Sequence, residues 1–242
     1  MTDKNNMAVL IDGENVSEKY LKFIFEELSN YPERITYRRI YGDWTDNRLS
    51  SWKKVLLGYS IMPIQQYSYT TGKNSTDSAL IIDAMDILYS EDVSAFCIVS
   101  SDSDFTRLAS RLRESGMLVV GMGERKTPKS FVTACESFKY LEVISNREEE
   151  DKKSDTQTGD DLSALVPVIN RLIEENADED GYIFLGKVGN LLPKKMSDFD
   201  VRNYGYKSLT QLIRGAGNFK LDIRQQNGSG PLTYIKGKGG KN

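Results

Sequence analysis

The 242-residue chain carries 32 lysines and arginines against 35 aspartates and glutamates, a net charge of −3, and no histidine. That length holds one large domain or two small ones. The missing histidine excludes His-ligated zinc, Ser-His-Asp hydrolysis and His-based cleavage of RNA.

No run of about 18 apolar residues occurs, so no membrane span is expected. The polar N-terminus lacks the cationic and apolar parts of a signal peptide. Cys97 and Cys135 sit among apolar residues. They read as buried, reduced thiols of a cytoplasmic protein and are too few for cysteine-only zinc. Hydrolysis would rest on carboxylates, metal ions, lysine or hydroxyl groups, and Mg²⁺ or Mn²⁺ suits oxygen ligands. Charge is unevenly spread: residues 1–147 are close to neutral, residues 148–161 hold seven acids and two bases, and residues 162–242 hold twelve bases and eight acids. An acidic linker therefore separates the first region from a basic module.

In chain order, the first strand falls at 7–11 and runs into Asp12. A helix carries Val16, Tyr20, Phe23, Ile24 and Leu28 on one face. Alternation over 35–41 predicts strand two. Thr45 is placed to cap a helix over 45–58, and 61–64 reads as a short strand that Pro63 confines to an edge. Residues 67–75 read as a loop. A helix follows over 77–89, with Asp77 at the centre of its apolar stripe, Asp83 on the flank and Asp86 outward. The buried run 95–99 stops at Ser100-Ser101 and passes through Asp102 and Asp104 into a helix ending near Gly116. A strand over 117–122, a short helix over 128–136 and a strand over 138–143 complete the region. Alternating strands and helices predict a parallel sheet covered on both faces.

Residues 146–161 read as a flexible linker. A helix begins at Leu162, residues 181–185 form a strand or turn, and helical patterns recur at 187–192 and 208–215. Residues 219–223 and 232–235 read as a hairpin around a turn at 227–230. Helices followed by a hairpin suggest a small winged-helix domain.

Ligands of open α/β sheets bind beyond the C-terminal strand ends, where strand order reverses. Asp12, Asp102 and Asp104 lie just past two such ends, and Asp77 reaches the same place from its helix. Carboxylates gathered in this way repel one another unless a cation binds, and an oxygen-rich cluster holds one or two Mg²⁺ or Mn²⁺ ions for phosphodiester cleavage. Two other readings stand beside this. Asp102 or Ser103 can simply cap the following helix, and Asp77 can favour the helix dipole. An aspartyl-phosphate enzyme would use Asp12 as nucleophile with Lys73 or Lys126 as charge partner.

Ala8-Val-Leu-Ile-Asp-Gly-Glu-Asn15, Lys73-Asn-Ser-Thr-Asp77 with Asp83, and Val99-Ser-Ser-Asp-Ser-Asp-Phe105 resemble the NYN domain family of PIN-like nucleases. Lys129-Ser-Phe and Ala134-Cys-Glu-Ser-Phe138 resemble its C-terminal end. The resemblance covers about residues 6–144. It implies a PIN-like Rossmannoid sheet of order 3-2-1-4-5 and metal-dependent RNA cleavage. Asp12, Asp77, Asp102 and Asp104 match the family's acidic cluster as metal ligands, and Asn15 matches its conserved Asn. Asp83 and Ser101 are expected to support the ligands from behind.

Gly181-Tyr, Gly186-Lys-Val-Gly189, Leu192-Pro193, Phe199 and Tyr204-Gly-Tyr-Lys-Ser-Leu209 resemble the OST-HTH/LOTUS domain, a winged helix that implies RNA binding or, in some relatives, protein binding. The basic charge agrees with phosphate contacts. Candidate RNA contacts are Lys73, Lys126 and Lys129 in the first domain and Lys194, Lys195, Arg202 and Lys207 in the second, with Arg214 and Arg224 as further cations. Tyr204 and Tyr206 either stack on bases or pack in the core. The expected organisation is a nuclease domain at 6–145, a linker at 146–161 and an RNA-binding domain at 162–237. The expected activity is metal-dependent endoribonucleolysis of single-stranded RNA. The alternative is a non-catalytic RNA-binding adaptor.

Overall fold

A strand whose successive side chains are all apolar must be covered on both faces. Residues 7–11 are wholly buried in β1 (Asn6–Asp12), in the middle of a six-stranded sheet. The computed structural model describes residues 5–67, 75–90, 92–146, 162–226 and 229–238. The chain divides into two compact units, residues 1–152 and 153–242. The greater part of the expected linker, 147–161, lies outside the described residues, as do 68–74 of the expected loop and the turn residues 227 and 228.

In the first unit β1 is followed by α1 (Leu21–Leu28), β2 (Arg34–Gly42), α2 (Ser50–Lys53), β3 (Met62–Gln65) and α3 (Ser75–Tyr89). Then come β4 (Ala95–Val99), α4 (Thr106–Glu114), β5 (Leu118–Gly123), α5 (Lys129–Ala134), β6 (Ser137–Tyr140) and α6 (Leu141–Ser145). The strand order is β3-β2-β1-β4-β5-β6, and every pairing is parallel. This is the PIN-like α/β arrangement, with the order 3-2-1-4-5 continued by a sixth strand beside β5. Alternate residues of β1 serve opposite core layers. Met7, Val9 and Ile11 pack with Ile24 of α1, Trp52 of α2 and Leu141 of α6. Ala8 and Leu10 pack with Leu80 of α3, Leu108 of α4 and Phe131 of α5. Because β2 and β3 are added on one side of β1 and β4 on the other, the β1–β4 boundary is the switch point of the sheet.

Two local expectations are corrected. The helix predicted over 45–58 is broken into a 3-10 turn at Asn47–Leu49, the single turn of α2, and a 3-10 turn at Leu57–Tyr59. Asp46, not Thr45, caps the first turn, accepting from the Arg48 backbone N–H at 2.8 Å. Leu49, Trp52 and Leu56 are buried and anchor the turns, while the serines and Gly58 between and after them are weak helix formers. The strand predicted over 138–143 is β6 only to Tyr140. Leu141 and Ile144, three apart and both buried, turn the chain into α6.

The second unit contains α7 (Leu165–Asn176), β7 (Ile183–Phe184), α8 (Leu185–Lys195), α9 (Leu209–Ala216), β8 (Phe219–Gln226) and β9 (Ser229–Gly237). Its three strands are antiparallel in the order β7-β9-β8. Leu165, Ile169, Val188, Leu192, Leu212 and Ile235 form the core between the helices and one face of this sheet. Helices closed by a hairpin are the winged-helix arrangement expected.

Candidate metal centre

Parallel register sets Ile11 opposite Val99, so the residues that follow each strand, Asp12 and Ser100, emerge side by side. Asp12 is wholly buried. Its Oδ1 accepts from the backbone N–H groups of Glu14 and Asn15 at 3.2 and 3.3 Å, and its Oδ2 accepts from Asn15 Nδ2 and Ser100 Oγ, both at 2.7 Å. Burial raises the Asp12 pKa, and the bonds from Ser100 and Asn15 offset part of that rise.

The segment after β4 is tied down by its own serines. The Ser100 hydroxyl accepts from the Asp102 N–H at 3.0 Å, and Ser101 Oγ accepts from the Glu124 N–H at 2.8 Å, joining the ends of β4 and β5. Asp102 caps the following 3-10 turn by accepting from the Asp104 N–H at 2.9 Å. The capping reading of Asp102 is therefore correct and does not compete with the cluster: one residue has both positions. Carboxylate oxygens of Asp77, Asp102 and Asp104 lie within 4.8 Å of one another. Asp77 enters from the first turn of α3, nearly buried, with Asp102 half-buried and Asp104 exposed. Burial, then the negative charges of Asp12, Asp102, Asp104 and Glu14, push the Asp77 carboxyl up to about 7.

Three carboxyl groups, one of them with its pKa raised by burial and by its neighbours' charge, form a donor set suited to a hard divalent cation. Of the four acids named from sequence, three converge as possible ligands. Asp12 lies outside that group, with both oxygens already hydrogen-bonded, and reaches Asp77 through its charge. A buried, fully engaged Asp12 does not fit the nucleophile of an aspartyl-phosphate enzyme, and Lys126 pairs with Glu124 at 2.7 Å instead.

Asp83 lies six residues beyond Asp77 on α3 and bonds to Arg39 and to the Tyr41 hydroxyl on β2. Burial, then Asp83, pushes the Tyr41 phenol above its ordinary range. Neither Arg39, Tyr41 nor Ser100 is singled out by the sequence reading. Ser100 had one signal, its place directly after an apolar strand. The other two depend on cross-strand register. A polar cleft of about 330 Å³ opens beside the Asp12 loop, lined by Glu14, Asn15, Glu18, Arg48, Trp52 and Glu124. None of the three clustered acids lines it.

Among the candidate RNA contacts, Lys73 lies outside the described residues. Lys126 and Lys129 are exposed after β5. In the second unit Lys194 and Lys207 are exposed, Lys195 lies 3.7 Å from Glu175, and Arg202 is engaged by Asp200. Tyr204 is buried, and Tyr206 packs against the same core, so both tyrosines take the core alternative.

A family model of the NYN domain matches residues 6–142, and one of the OST-HTH/LOTUS domain matches residues 160–230. No curated protein matches the chain. Among solved structures, a protein of unknown function from Vibrio parahaemolyticus is 19% identical, over 57% of this chain and 94% of that chain, with a TM-score of 0.46.

Proposed function

The chain belongs to the NYN domain family and carries an OST-HTH/LOTUS domain, and we propose on that premise that it is a metal-dependent endoribonuclease to which the second domain recruits RNA. The observation that carries the reading is the convergence of Asp77, Asp102 and Asp104 at the switch point of the sheet. These three, with Asp12 adding negative charge, would hold Mg²⁺ or Mn²⁺. When bound, such an ion supplies Lewis-acid activation of water and stabilisation of the leaving oxygen.

The surrounding residues hold that site in shape. Asn15 and Ser100 fix Asp12, Ser101 anchors the loop after β4 to β5, and Asp83 ties α3, and so Asp77, to β2. Lys126 and Lys129 are the first unit's candidates for backbone phosphates. The nuclease domain is assigned to 6–145, the linker to 146–161 and the RNA-binding domain to 162–237. Buried free thiols at Cys97 and Cys135 support a reducing, cytoplasmic setting.

The test is cleavage of a labelled single-stranded RNA by the wild type and by Asp102→Asn, each with Mn²⁺, with Mg²⁺ and with EDTA. Cutting that needs metal and falls at least about a hundredfold in the variant is expected. Undiminished cutting by Asp102→Asn overturns the assignment. A gel shift without cutting by the wild type would favour a binding adaptor.

A further inference from the structure

A sheet face turned to solvent ordinarily carries polar residues. The outer face of β7-β9-β8 adds two aromatic rings to its charged residues. Phe184 and Asp222 are both cross-strand partners of Tyr234, so these three project on one side. Ile183, Leu221 and Ile235 project on the other, into the core. On the outer side the Phe184 ring lies 5.7 Å from the Tyr234 ring and stays 39% exposed. Gly186 leaves room for the ring, since a Cβ there would come within 2.5 Å of it. The Arg224 guanidinium sits 4.4 Å from the Tyr234 ring and 5.0 Å from the Tyr182 ring. Asp178 and Asp222 hold it there at 3.1 and 2.9 Å. Arg224 is thus consumed by its neighbours and braces the two tyrosines.

Next to this row, Lys220 and Lys236 are direct cross-strand partners, both exposed. Like charges set opposite one another destabilise a sheet; among the described residues neither lysine has an acidic partner, and Lys236 Nζ donates to the Asp180 carbonyl at 2.8 Å and lies 5.5 Å from the Tyr182 ring. An anion placed between them relieves that repulsion. Lys236 follows Tyr234 by two residues on the same face, about 7 Å along the strand.

We propose that this face is a stacking platform for single-stranded RNA, with a base laid on the exposed Phe184 ring, which Tyr234 backs, and the adjoining phosphates held by Lys220 and Lys236. The proposal rests on the RNA-recruiting role of the second domain and specifies which face is used and which form of RNA. Every base has a π-face, so such a platform tolerates sequence; a duplex hides those faces, so it selects single strands. Charge complementarity favours RNA over an apolar partner, because the rings are flanked by two exposed lysines without an acidic partner among the described residues, in a region of net charge +4 over residues 162–242.

The experiment measures anisotropy of a labelled single-stranded RNA of about 12 nucleotides with the full chain in EDTA, where cleavage is suppressed. Phe184→Leu combined with Tyr234→Ala is expected to weaken binding about tenfold or more, while Tyr234→Phe binds as the wild type does. Lys220→Glu with Lys236→Glu, at two exposed positions, is expected to weaken binding and flatten its salt dependence. Circular dichroism melts show whether each variant is folded. Unlabelled duplex RNA is expected not to compete. Wild-type affinity in both the aromatic and the lysine variants, or equal competition by duplex, overturns the platform. If Lys194→Glu with Lys207→Glu abolishes binding while both platform variants bind normally, recruitment stands and the platform fails. If the wild type binds no RNA, both fail.

Discussion

The Ser100 hydroxyl donates to Asp12 at 2.7 Å across the β1–β4 boundary and accepts from the Asp102 N–H at 3.0 Å. One side chain therefore links a buried carboxylate to the loop that bears two of the clustered acids. Ser100→Ala leaves that carboxylate one donor short and costs about 1–3 kcal/mol, read by urea denaturation. The Asp12 pKa, already raised by burial, rises further without the Ser100 bond. The acid limb of the cleavage profile should then move to higher pH. An unmoved limb would separate Asp12 from the ionisation that cleavage requires.

Asp77→Asn should stabilise the metal-free protein while removing its activity. Unit charges about 5 Å apart at an effective dielectric near 20 repel by roughly 3 kcal/mol, and a gain on the order of 1 kcal/mol is expected to survive solvent screening. The sign of the pH dependence follows from the raised pKa, about 7 against the usual 3.8. The folded state takes up this proton at higher pH than the unfolded state does. Stability of the wild type in EDTA therefore falls as pH rises from about 4 to about 7, and Asp77→Asn loses that part of the slope. Mn²⁺ should raise the melting temperature of the wild type and leave the variant nearly unchanged. Differential scanning fluorimetry across pH, with and without metal, checks all three outcomes.

Thr76 is buried beside Asp77, and its hydroxyl has no hydrogen-bond partner among the described residues. An orphaned buried hydroxyl costs free energy, so Thr76→Val, close in shape, should stabilise the fold by about 1 kcal/mol. Denaturant midpoints measure the gain. Destabilisation instead would show that the hydroxyl is satisfied in solution.

Asp83 acts at a distance from the cluster, through Arg39 and Tyr41. Asp83→Ala strands a partly buried guanidinium and should cost about 2–3 kcal/mol, somewhat less than a fully buried pair. Because the tether holds α3 against β2, metal affinity should fall as well. Asp83→Leu combined with Arg39→Met should recover stability without restoring full affinity. Calorimetric titration with Mn²⁺ separates the two effects.

Much of this architecture can be read along the chain because its signals are local. Apolar runs that end in acid mark β1 and β4, and a proline marks β3 as an edge. The position of Asp77 on the apolar stripe of α3 foretells its burial. The failures share one cause, dependence on residues far away in sequence. The bonds of Asp83 follow from the register of β2, and the role of Ser100 follows from the pairing of β1 with β4. Arg224 reads as one more surface cation until β7 brings Tyr182 beside it. The breaks within 45–58 are the exception, a local effect of the weak helix formers Ser50, Ser51 and Gly58 within a helical spacing of Leu49, Trp52 and Leu56.

The switch point lies between strands that are far apart along the chain. Asp12 and Ser100 are 88 residues apart, and β4 takes its place beside β1 only after β2, β3 and α3 have been made. Closing so long a loop is slow relative to local helix formation. A chain still emerging from the ribosome, or one truncated before β4, holds Asp12 and Asp77 but neither Asp102 nor Asp104. The acidic cluster thus needs β4 in place beside β1, and a chain that stops short of β4 lacks two of its three carboxylates.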